Sequence, residues 1–156
     1  MKMCVIQNRG FSLIELIMVI ILLGIVAVVA VPRLPSITDF DEMGFFDELV
    51  GAARYGQKLA IATNCKVELE VTASSYALSM PSSVGNCFAL SPTFSTDVPH
   101  HSASGQYSNA APSGVSISNP ATIVFDASGG TSTSHTFSID GRSFTVHATS
   151  GYVERL

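Results

Sequence analysis

Residues 9–33 read RGFSLIELIMVIILLGIVAVVAVPR, and between Phe11 and Val31 the only strongly polar side chains are Ser12 and Glu15. A helix over those 21 residues would be about 31 Å long at about 1.5 Å per residue, the thickness of a bilayer's hydrocarbon core. Pro32 ends the run, and Arg33 stands beyond it. Lys2 and Arg9 precede it with no acid between them, which places the N-terminus in the cytoplasm and exports the rest. A secretory signal peptide cut after Ala30 is the plain alternative. Against it, the run is longer than an ordinary signal h-region, it contains Glu15, and Pro32 follows the cut closely. Glu15 itself calls for a reason. A helix N-terminus favours negative charge, and a carboxylate about 6 Å along the helix from Phe11 still reaches the interface. Those effects make the acid tolerable without giving it a use. An acid within an apolar span marks a functional contact whose partner has to be named.

The 156-residue length leaves room for one domain beside this segment. The net charge is −4 for the whole chain. Without residues 1–10, six basic residues face twelve acidic ones, a net charge of −6. An exported product of that charge has no general attraction for nucleic acid or anionic lipid.

Beyond the membrane segment the pattern predicts an amphipathic helical continuation over 32–63. Ser36 and Thr38 are candidate caps, and Asp39, Asp41 and Glu42 suit a first turn. Phe40, Met43, Phe46, Val50, Ala53, Gln57 and Ala60 form the apolar stripe, widened by Leu49 and Leu59, with Arg54 and Lys58 on the solvated side. The small residues Gly51, Ala52, Ala53, Gly56 and Ala60 predict close approach of a sheet. After Asn64 the period changes from about 3.6 to 2. Cys65 to Val71 alternates with Val67, Leu69 and Val71 inward, and Tyr76, Leu78 and Met80 continue after a turn over 72–75. Residues 81–120 hold five of the seven prolines and ten serines, and read as a long, loosely structured insert. A strand is expected over 121–126. Asp140-Gly141 then joins 135–139 to 142–146 in a two-residue hairpin that pairs Phe137 with Phe144. A short strand over 151–155 closes the sheet. The fold class predicted is α+β, a long N-terminal helix packed on an antiparallel β-sheet, with residues 64–156 forming the β domain and 81–120 its insert.

Of three cysteines, Cys4 lies ahead of the apolar run, leaving Cys65 and Cys87 as an even pair in an exported domain. Such a pair points to a disulfide rather than a metal or catalytic site. The first hairpin returns both to one end of the sheet. No metal site is expected. His100 and His101, with Asp97 nearby, read as solvated, while His135 and His147 fall on opposite faces of their hairpin. No nucleophile elbow, phosphate loop, HExxH or paired CxxC is present, so neither an enzyme nor a cofactor is expected.

Arg9-Gly10-Phe11-Ser12-Leu13-Ile14-Glu15-Leu16 resembles the class III leader junction of type IV pilins and type II secretion pseudopilins. The resemblance implies a pilin-like fold and a prepilin leader over 1–10. It implies removal of that leader by a membrane prepilin peptidase between Gly10 and Phe11, and N-methylation of Phe11. It gives 11–31 a double role as membrane anchor and assembly helix. It also implies that Glu15 neutralises the amino terminus of a neighbouring subunit. Two opposite charges withdrawn from water attract strongly while either alone is costly, so only the correct stagger is favoured. The implied partners are other pilin or pseudopilin subunits, the peptidase, the inner-membrane assembly platform and membrane lipid. The implied location is the bacterial inner membrane, single-pass, with the N-terminus cytoplasmic and the C-terminal domain periplasmic, and then the filament.

The helix end Ala52–Ala62, and the tail from Ile123-Val124-Phe125-Asp126 to Gly151-Tyr152-Val153, are similar to the minor pseudopilin H/FimT class. The helix end also resembles minor pilins of the mannose-sensitive haemagglutinin system. A cysteine pair this early departs from the usual major-pilin pattern and favours a minor subunit. The expected function is a structural subunit that enters or primes a pilus or a secretion pseudopilus. Two alternatives remain: a DNA-binding minor pilin, with Arg142 and Arg155 as a small basic patch, and a monomeric membrane-anchored periplasmic binding module.

Overall fold

A computed structural model describes residues 11–30, 37–82, 87, 89, 91–100 and 105–156. Two compact units are present, Met1–Ser36 and Ile37–Leu156. In the first, α1 runs over Leu13–Ala30. The expected leader over 1–10, Pro32, Arg33 and the expected Ser36 cap lie outside the described residues, whereas Ser12 and Glu15 are described.

The second unit begins with α2, Ile37–Thr63, with Asp39 in its first turn. Its end has a clear local cause. Asn64 takes φ 52°, Cys65 N–H donates to the Ala60 carbonyl at 3.2 Å, and Asn64 N–H donates to Ile61 at 3.3 Å. This pair of bonds closes a helix end through a left-handed residue. The buried face is Phe45, Phe46, Leu49, Val50, Ala52, Ala53, Gly56 and Ala60. The predicted stripe has the right period but starts too early. Phe40 and Met43 are 62% and 48% exposed, because burial begins only at Phe45.

The first hairpin forms as expected. β1 (Val67–Val71) pairs with β2 (Ser75–Pro81), with Leu69 opposite Leu78. Val67, Leu69 and Val71 are buried. The 81–120 segment departs from its reading as a loop. It contributes β3 (Phe94–Asp97) and β4 (Ser108–Ala110), which share the outer edge of β2, and β5 (Ile117–Ser118). Its buried side chains Val98, Tyr107, Val115 and Ile117 are spaced too irregularly along the chain to show a period. β6 (Ala121–Phe125) lies on the other side of β1 with Ile123 opposite Leu69.

The antiparallel strands divide between two sheets. The first is ordered β3-β2-β1-β6 with β4 also on β2. The remaining strands, β7 (His135–Ile139), β8 (Arg142–Val146) and β9 (Val153–Arg155), form a separate sheet ordered β5-β7-β8-β9. Asp140 and Gly141 take φ 44° and 95°, the positive values a two-residue primed turn needs, and Phe137 faces Phe144 as predicted.

α2 packs against β1, β2 and β6 of one sheet and β8 and β9 of the other. A Cβ at Gly56 would lie 3.0 Å from Leu78 Cδ2 and 3.4 Å from Phe125, so glycine sets the spacing to the first sheet. Phe46 meets Phe144 edge-on at 5.9 Å, and Phe137 lies 5.2 Å from Phe144. Phe144→Ala is expected to lower unfolding free energy by about 3–5 kcal/mol through its cavity. Gly56→Leu should cost about 1–3 kcal/mol through overpacking. Denaturant midpoints of the detergent-solubilised chain measure both, and a Gly56→Leu chain as stable as the parent would refute the close approach.

Candidate functional site

α1 starts from Ser12, whose carbonyl accepts from Glu15 N–H at 3.0 Å and from Leu16 N–H at 3.2 Å. Glu15 therefore stands in the first helical turn, where the helix dipole favours a carboxylate. Among the described residues no ion pair engages Glu15. Every large apolar side chain from Phe11 to Val26 is at least 39% exposed. A helix apolar on all sides requires lipid or other helices around it. Among the described residues no helix is long and apolar enough to cross a membrane. Gly10, on one side of the expected cleavage point, lies outside the described residues.

Cys65 and Cys87 are joined in a disulfide with their Cα atoms 4.5 Å apart. Beside it, Lys66 Nζ donates to the Ala89 carbonyl at 2.6 Å. The proposed Arg142 and Arg155 patch takes a different form. Arg142 Nη1 lies 3.4 Å from Glu42, and Arg155 Nη2 donates to Asp47 at 2.5 Å. Both guanidiniums are thus committed to carboxylates of α2. His135 Nε2 meets the Asn119 carbonyl at 2.9 Å, His147 meets Glu154 at 2.7 Å, and the His100 ring lies 4.7 Å from Tyr107. His101 lies outside the described residues, and among the described ones no group of three possible metal ligands gathers.

Sequence reasoning missed two helix residues. Glu48 accepts from the Tyr76 hydroxyl at 2.6 Å and from Asn109 Nδ2 at 2.8 Å, holding β2 and β4 to α2. Burial, and then the Glu48 carboxylate, hold the Tyr76 phenol well above its ordinary range. Gln57 Nε2 donates to the Ser150 carbonyl at 2.7 Å, tying α2 to the β8–β9 turn. Both side chains follow the α2 pattern, but nothing in a linear sequence names partners so far away.

The outward face of the first sheet carries two perturbed carboxylates. The Ser128 hydroxyl, and the Ser128 and Gly130 N–H groups, hold Asp126 below its ordinary 3.8. Burial raises Glu68 above 4.5, with Glu70 adding to it and the Ser79 hydroxyl opposing.

Residues 7–31 match the prokaryotic N-terminal methylation motif, a span that includes α1. No curated protein matches the chain. Two solved structures are similar to it, both of the type IV minor pilin FimU from Pseudomonas aeruginosa strain PAO1. One shares 12% identity over 70% of this chain and 88% of the other, with a TM-score of 0.48. The second shares 12% identity over 70% and 84%, with a TM-score of 0.45.

Asp126 and Glu68 make opposite predictions. A lowered pKa contributes stability above the ordinary carboxylate value that is lost as pH falls through the folded value. Asp126→Ala should therefore melt below the parent at pH 7, and the gap should narrow as pH falls below the ordinary carboxylate range. A raised pKa contributes stability at low pH that is lost as pH rises through the folded value, so Glu68→Gln should melt above the parent at neutral pH and not below about pH 4. Thermal midpoints across pH decide both, and gaps independent of pH would contradict the assignments.

Proposed function

We propose that the chain is a minor pilin or pseudopilin, a structural subunit that works by assembly rather than catalysis. One coincidence carries the reading: the methylation motif falls on a helix that is apolar on every side and carries a single acid in its first turn. In this account the leader 1–10 is removed between Gly10 and Phe11 by a prepilin peptidase, and Phe11 is N-methylated. The apolar segment 11–31 anchors the subunit in the inner membrane with its N-terminus cytoplasmic and 37–156 periplasmic. The segment then leaves the bilayer for a bundle of like helices, guided by the assembly platform.

The chemistry is consistent with that route. Cleavage creates an α-amine, and a methylated amine remains a cation near neutral pH. Within a bundle of apolar helices that cation and the Glu15 carboxylate each need a counter-charge, and a neighbour at the correct stagger supplies it. The disulfide between Cys65 and Cys87 suits the oxidising periplasm. The commitment of Arg142 and Arg155 to Glu42 and Asp47 counts against DNA binding, since neither guanidinium is left to approach phosphate unopposed.

The test is the N-terminus and intact mass of membrane-extracted protein, made with and without a prepilin peptidase. The account predicts a chain that begins at Phe11 and is heavier by one methyl substitution, but only when the peptidase is present. A chain beginning at Met1 in both preparations, or near Val31, would overturn it.

A further inference from the structure

The first sheet ends on an edge that the described chain leaves unpaired. β6 pairs with β1 along one side. Asp126 fixes which of its groups face the other way, because its backbone N–H reaches the Gly130 carbonyl at 2.9 Å rather than β1. In an antiparallel strand alternate residues direct their N–H and C=O to the same side. Thr122 and Val124 therefore share the direction of Asp126, while Ala121, Ile123 and Phe125 serve the β1 ladder. Among the described residues, no backbone partner meets Thr122 or Val124 on that outer side.

Those groups open onto a groove between the two sheets. One part, about 170 Å³, is lined by Ala121 to Val124 and by Thr131 to Thr133 and His135, which lead into and begin β7. The adjoining part, about 450 Å³, shares Val124, Thr131 and Ser132 and continues to Phe94, Asp126 and Lys66. Lys66 spends one donor on the Ala89 carbonyl and makes no ion pair with any described residue. An ammonium has three donors, so two are left for an incoming group. Neither nearby acid, Asp126 or Glu68, pairs with Lys66 among the described residues. Asp126 Oδ1 accepts from Ser128 N–H at 2.8 Å, the Ser128 hydroxyl at 2.6 Å and Gly130 N–H at 3.1 Å. Glu68 Oε1 accepts from the Ser79 hydroxyl at 3.3 Å.

We propose that this groove binds an extended acidic peptide segment of a partner protein, which adds to β6 as a further strand and places one carboxylate on Lys66. An unpaired edge is a template for strand addition, in which main-chain bonds give affinity and alternate side chains give selectivity. Here Thr122 and Val124 supply the main-chain bonds, Val124 and Phe94 an apolar wall, and Lys66 the charge selection. The proposal concerns residues 37–156 and holds whatever α1 does.

The experiment uses the full chain in detergent micelles with fluorescein-labelled Thr-Val-Asp-Val-Thr-Ser-amide as probe. Fluorescence anisotropy reads affinity, and amide hydrogen exchange reads the site. Saturable binding is expected to slow exchange at Thr122 and Val124 by roughly tenfold or more. Lys66→Gln, or aspartate replaced by lysine in the peptide, should each weaken binding by about tenfold, the worth of one hydrogen bond to a charged group. Lys66 lies on the sheet's outward face, so its replacement leaves the core intact. Absence of saturable binding, binding without protection at those two amides, or an unchanged affinity for Lys66→Gln would each overturn the proposal. Protection of the same amides that rises with protein concentration alone would overturn it too, assigning the edge to a second copy of this chain.

Discussion

One helix covers two sheets, and the rest of residues 37–156 depends on that contact. A sheet of five strands and a sheet of four each have one face to hide, and α2 supplies the cover for both. It does so with two kinds of side chain. Phe45, Phe46, Leu49 and Val50 fill volume near its start, and Ala52, Ala53, Gly56 and Ala60 let strands approach near its end. A helix bulky throughout would hold the first sheet away from Leu78 and Phe125, and one small throughout would leave a void beside Phe144. Glu48 and Gln57 then fix the join by bonding across to Tyr76, Asn109 and the Ser150 carbonyl.

α1 obeys a different constraint. Its described apolar side chains from Phe11 to Val26 are all exposed, so the helix calls for lipid or like helices around it. In lipid, backbone groups are satisfied within the helix itself, which suits a uniformly apolar segment. In a helix bundle the same surface serves packing. The lone acid distinguishes the two settings, because it is tolerable near an interface and asks for a cation away from one. One segment thus fits both an anchor and an assembly element, and the proposed role of Glu15 is to set how neighbours align.

Much of this was legible in the sequence because it rests on local rules. The change of period at Asn64, the alternation of Val67, Leu69 and Val71, and the Asp140-Gly141 turn each signal through neighbours a few residues apart. The cysteine pair was legible because the β1–β2 hairpin returns both residues to one end. What escaped depends on distant partners. β3, β4 and β5 are two to four residues long. They are strands because β2 and β7 offer edges, and Ser-rich segments of that length carry no alternation of their own. Phe40 and Met43 continue the stripe faithfully, yet they lie ahead of the point where burial begins. The split into two sheets follows from β6 and β7 failing to pair, and no residue in either strand announces it. At the functional end, the junction residues were legible as a motif, whereas the commitment of Arg142 and Arg155 to α2 acids required the fold.

The central claim is that Glu15 selects the stagger of neighbouring subunits, and incorporation into filaments tests it most directly. Parent, Glu15→Ala and Glu15→Asp chains would be produced in a filament-forming host, and sheared filaments compared with membranes for subunit content. The account predicts that Glu15→Ala is still processed at Phe11 but stays in the membrane fraction, with Glu15→Asp restoring part of the incorporation. Glu15→Ala recovered in filaments at the parent level would contradict it, leaving the carboxylate a tolerated feature of an ordinary anchor.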